Sequence, residues 1–85
     1  MTKRQRIQVE KKERKRANEQ RAMKAERALR WYKKAQLGEN GRIDESTMED
    51  LLADLQHLCN LNKWNWLDGI DSADRHFSAE IRSND

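Results

Sequence analysis

Charge is segregated along this chain, and that segregation limits what can fold. Residues 1–34 hold 14 Lys or Arg against 4 Asp or Glu, a balance of +10, whereas residues 35–85 hold 4 against 11, a balance of −7. Up to Arg21 the only large apolar side chains past the first residue are Ile7 and Val9, too few to make a buried stripe. The leading segment therefore cannot fold by hydrophobic burial, and any core must come from the later residues. Asymmetry of this kind reads as an interaction arm on a folded body.

Proline is absent and glycine occurs three times, in a chain rich in Lys, Glu, Arg, Gln, Ala and Leu. The few β-branched residues argue further against a sheet, so the expected fold class is all-α. With 39% of residues charged and 85 residues in all, the core can only be small. The single cysteine, Cys59, excludes an internal disulfide and suggests a reducing compartment. No run approaches the roughly 18 apolar residues of a membrane span, and the basic start lacks the apolar segment of a signal peptide. The expected location is the cytoplasm, with no membrane partner.

Nothing interrupts a helix between Thr2 and about Leu37. If continuous it would extend about 54 Å at 1.5 Å per residue. Its leading part is polar all round and is expected to fray alone and to firm up on a partner. Pairs at four-residue spacing, Glu10–Arg14 and Glu26–Arg30, give it local support. From residue 22 onward Ala22, Ala25, Ala28, Leu29, Tyr32 and Ala35 form a stripe able to dock, with Trp31 to one side. This divides the chain into a basic helical arm, 1–21, and a three-helix module, 22–85, with helices over 22–37, 46–60 and 66–82. The break at Leu37-Gly38-Glu39-Asn40-Gly41-Arg42 supplies glycines for a helix end and a reversal.

Ser46-x-x-Glu49 reads as a capping box for the second helix, with Asp44 the alternative cap. Met48, Leu51, Leu52, Leu55, Leu58 and Cys59 then recur on one face, and Leu55 in its middle is expected in the core. Asn65 is expected to cap the third helix, with Asp68 three residues on and Leu67, Ile70, Ala73, Phe77 and Ile81 as its apolar face.

Within residues 46–81, Asp50-Leu51-Leu52-Ala53-Asp54-Leu55-Gln56-His57-Leu58-Cys59 and the later Ala73-x-x-His76-Phe77-x-Ala79-Glu80 form two separated motifs. In order and spacing they resemble a group of small, uncharacterised, all-helical bacterial proteins of phages, plasmids and genomic islands. Members carry a DLLADLxHLC segment followed by an AxxHYxAE-like helix. The chain departs from that pattern at Trp66-Leu67-Asp68-Gly69, where an acidic-aromatic-acidic opening is common. The resemblance implies a mobile-element origin and a protein that binds host machinery; it transfers no activity.

The candidate binding residues are Lys3, Arg4, Arg6, Lys11, Lys12, Arg14, Lys15, Arg16, Arg21 and Lys24. Such an array attracts phosphate backbones by counterion release. Five of the ten are arginine, whose planar fork suits phosphate. No zinc-finger spacing, RNP motif or helix-turn-helix accompanies them, so base-specific reading is not expected. Trp31, Trp64 and Trp66 are candidate interface aromatics. Trp64 and Trp66 cannot both face one way at helical spacing, so one is expected inside and the other at the surface.

An acidic row of Glu49, Asp50, Asp54, Asp68, Asp71 and Asp74 could imitate phosphates or simply face water. His57, Cys59 and His76 do not supply the three or four converging ligands of a zinc site, and no phosphate loop or nucleophile motif is present. Neither catalysis, a cofactor, a metal nor a small-molecule substrate is expected. The expectation is a non-enzymatic mobile-element protein binding a host nucleic acid or nucleoprotein complex through the arm, an anti-CRISPR-like inhibitor of host defence being one form. The alternative is an assembly protein that self-associates by pairing its basic arm with a neighbour's acidic body.

Overall fold

The computed structural model describes residues 2–82, and within them the chain is all-α with no strand. Helix α1 runs Lys3–Trp31 and continues as a π-helical turn, Tyr32–Gln36; α2 spans Glu45–Asn62 and α3 spans Trp66–Arg82. Helix α1 packs on both α2 and α3, and these touch each other, giving a three-helix module from which the start of α1 projects. The molecule measures 52 × 32 × 16 Å along its principal axes. No helix among the described residues is long and apolar enough to cross a membrane.

Local chemistry explains each boundary. Helix α1 starts at a reciprocal cap: the Gln5 amide donates to Thr2 Oγ1 at 3.2 Å and the Thr2 amide to Gln5 Oε1 at 2.9 Å. It ends by widening, the Leu37 amide reaching back to the Tyr32 carbonyl at 3.1 Å, before Gly38 turns the chain at φ +67°. The second helix is capped by Asp44, the alternative its sequence offers to Ser46. Asp44 Oδ1 accepts from the Thr47 amide at 3.0 Å, and Thr47 Oγ1 accepts from the Asp44 amide at 3.3 Å. The bond from the Thr47 amide, with a second from the Thr47 hydroxyl, holds the Asp44 carboxyl below its usual range, and together these bonds satisfy Thr47, which is buried. A serine hydroxyl two residues later loses to a carboxylate that is already charged. Lys63 closes α2 in the left-handed region, φ 59°, and the Trp64 amide bonds the Cys59 carbonyl at 2.9 Å. Asn65 caps α3 as expected, its Oδ1 accepting from the Asp68 amide at 3.0 Å.

Packing differs from the expected small core of the three-helix module. Among the described residues Tyr32, 7% exposed, is the buried apolar side chain, and its hydroxyl donates a hydrogen bond to Asp54 Oδ2 on α2. The apolar stripes of α2 and α3 are largely open to solvent: Leu55, expected at the centre of the core, is 39% exposed and Phe77 59%. The physical reason is how the helices meet. Helix α1 holds α2 through Tyr32 and holds the last turns of α3 through Asn18 and Arg21, so the helices lean on one another at separated points. Helical periodicity identifies an apolar face but not how much of it a neighbour will cover. Docking of α1 also begins earlier than residue 22: Ala17 and Asn18 are already half-buried, and Asn18 Nδ2 donates to the Glu80 carbonyl at 3.1 Å.

The bond to Asp54 and the surrounding carboxylates push the Tyr32 hydroxyl up to about 12 from its ordinary 10. A group held protonated in the folded state contributes stability fully below pH 10, and loses it as pH rises from there toward 12. Tyr32 is the chain's one tyrosine, so tyrosinate absorbance reports it alone. The folded chain should ionise well above pH 10, and the urea-unfolded chain near 10. Coincident titrations would show that the bond to Asp54 does not hold in solution.

Candidate nucleic-acid interface

Every side chain from Lys3 to Arg16 is exposed. This stretch carries eight of the ten candidate cations, Lys3, Arg4, Arg6, Lys11, Lys12, Arg14, Lys15 and Arg16, against Glu10 and Glu13. At 3.6 residues per turn, Glu10 and Glu13 share one side of the helix with Lys3, Arg6 and Arg14, and the other five cations, Arg4, Lys11, Lys12, Lys15 and Arg16, spread over the remaining arc. The first turn holds no acidic residue; it holds Lys3, Arg4 and Arg6, at the end of the helix where cations are electrostatically least favoured. The reciprocal cap of Thr2 and Gln5 offsets that repulsion locally. An anion brought to this segment would meet helix-end amides and several cations together.

The remaining two candidates differ. Arg21 belongs to the fold: its Nε pairs with Glu80 Oε2 at 2.7 Å and its Nη1 donates to Asn18 Oδ1 at 2.8 Å. With the Asn18–Glu80 bond, this fastens α1 to the end of α3. Lys24 is exposed on the docked half of α1.

A further group of cations lies at the opposite end of α1, and charge patterning along the chain does not single it out. The glycine loop folds back so that Arg30, Lys33, Lys34 and Arg42 line an open cleft of about 500 Å³ with Glu26 and Glu39. Arg30 is paired with Glu26 at 2.7 Å, as its spacing suggests, and Lys33 Nζ donates to the Arg42 carbonyl at 2.7 Å. The signal available in sequence is Arg42 following Gly41, whose φ of +106° reverses the chain.

No protein-family model, curated protein or solved structure matches this chain.

Among the aromatics, Trp31 and Trp64 are 60% and 61% exposed, while Trp66 is half-buried at the start of α3. Trp66 is thus the more covered of the pair, but it does not fill a core as expected of one of them. The acidic row is partly engaged: Asp54 accepts from Tyr32, and Asp71 pairs with Arg75 at 3.5 Å. No group of three or more His, Cys, Asp or Glu side chains among the described residues converges as a metal site.

The arrangement separates two kinds of arginine, and mutation should distinguish them. Arg21→Ala should lower the thermal melt by the roughly 0.2–1 kcal/mol of an exposed ion pair and leave nucleic-acid affinity within about twofold. A large loss of affinity with an unchanged melt would place Arg21 in the interface after all.

Proposed function

We propose that the chain is a non-catalytic binding protein that grips a nucleic acid, free or within a nucleoprotein complex, along α1 from Lys3 to Arg16. The observation that carries this reading is the density of exposed cations on a projecting helix, eight over fourteen residues with two carboxylates among them. A polyanion is the partner such a surface suits best, because each phosphate neutralised releases condensed counterions and needs no special geometry. The fold leaves this surface accessible: Asn18 and Arg21, which fasten α1 to α3, lie beyond the cationic stretch. Phosphates would be contacted without direct base readout, since positioning contacts carry no sequence information.

The narrower reading, an inhibitor of host defence carried by a mobile element, is supported by the resemblance of residues 46–81 alone. It is compatible with a protein that acts by binding, since blocking a nucleic-acid-handling machine requires no chemistry.

The test is the triple variant Lys11→Gln, Lys12→Gln and Lys15→Gln. Glutamine preserves helix propensity while removing charge. Binding to a fluorescent duplex of random sequence, followed by anisotropy in about 0.15 M salt, should weaken by about a hundredfold, and to the same extent for unrelated sequences. Unchanged affinity, or no measurable binding by the unsubstituted chain, would overturn the proposal.

A further inference from the structure

The proposed arm leaves unexplained the largest feature of the body, an apolar surface that the described residues leave open. We infer that the exposed apolar faces of α2 and α3 are the contact surface for a second copy of this chain, and that the protein works as a closed dimer.

Three observations lead there. First, the chain exposes 7659 Å², against about 5,300 Å² for a compact monomer of 10.2 kDa. The arm accounts for part of the excess, but ten of the exposed large apolar residues lie between Met48 and Ile81. Second, the area is of the right size. At roughly 150–250 Å² for a fully exposed large side chain, those ten leave about 800–1,300 Å² uncovered. A stable interface takes about 800 Å² from each partner. Third, the face of α2 suits self-pairing. Met48, Leu52, Leu55 and Cys59 fall on one arc, while Glu49, Asp50, Gln56 and His57 fall outside it. An isologous contact sets a patch against itself, so the uncharged arc of α2 pairs without the repulsion that the basic arm would meet, whereas on α3 Asp74 falls among Leu67, Ile70, Phe77 and Ile81.

A layer of helices with one open apolar side needs a second layer to bury it. Within one chain the helices are fastened at Tyr32 and at the Asn18–Arg21–Glu80 cluster, and the stripes between stay exposed, so a second copy supplies the missing layer. Such a contact is hydrophobic, and this separates it from the rival in which the basic arm pairs with a neighbour's acidic half. Salt screens the rival and leaves hydrophobic burial intact or strengthened. None of the residues involved lies between Lys3 and Arg16, so the contact is independent of the arm's proposed role.

The experiment is light scattering on the full chain at about 50 and 500 mM salt, with thermal melts over a hundredfold range of protein concentration and with Phe77→Glu as the variant. The expected result is twice 10.2 kDa at both salts, a melting temperature that climbs with concentration, and halving of the mass by Phe77→Glu. A mass of 10.2 kDa at both salts with a concentration-independent melt would overturn the inference. Assembly that dissolves at high salt would overturn it in favour of charge pairing, and a variant that keeps the doubled mass would place the contact elsewhere. Should Phe77→Glu fail to fold, the concentration dependence of the unsubstituted chain still decides the matter.

Discussion

Mutual repulsion among the cations of Lys3–Arg16 is the constraint from which the architecture follows. Eight positive side chains on fourteen residues cannot be taken out of water at a cost so small a chain could meet, so this half of α1 stays in solvent. It remains a helix because Thr2 and Gln5 satisfy its first amides and because long unbranched side chains lose little freedom there. All burial is then left to residues from Ala17 onward. That division gives one continuous helix two physical roles, an electrostatic one at its start and a packing one in its second half.

The packing half relies on few contacts. Tyr32 carries the contact with α2, bringing both ring burial and a hydroxyl bond to Asp54, while the Asn18–Arg21–Glu80 cluster anchors α3 through polar bonds. Polar fixings of this sort set where helices meet more than they add stability. A body held this way is thin and leaves its two amphipathic helices half covered. A second copy would complete what the single chain begins, and would present two cationic arms on one particle. Two linked arms on one polyanion would bind more tightly than either alone, through effective concentration.

Local features of the fold are legible in the residues. The helical content, the break at the glycine loop, the Asn65 cap and the Glu26–Arg30 pair all follow from local spacing, which acts over one or two turns, whereas of the stripe from Ala22 to Ala35 only Leu29 and Tyr32 are covered. Long-range features are not. Asp44 is legible as one of two caps for α2, but its choice over Ser46 rests on Thr47 reciprocating from a buried position, which depends on how the helices pack around it. Arg21 looks like its neighbours in sequence and is distinguished only by Glu80, fifty-nine residues away. The exposure of Leu55 and Phe77 is hidden for the same reason: a stripe shows which face prefers burial, while the crossing of helices determines whether burial occurs. Among the candidate cations, the eight that make up the arm are identifiable from charge alone, because an electrostatic surface needs no precise partner.

The central claim is that α1 recognises negative charge density. It is tested most directly by the affinity of the unsubstituted chain for a random-sequence duplex across a salt series. If the five cations on the open arc of α1 each neutralise a phosphate, the logarithm of the binding constant should fall against the logarithm of salt with a slope of about −4.5. A slope near zero would contradict the claim, whatever the affinity.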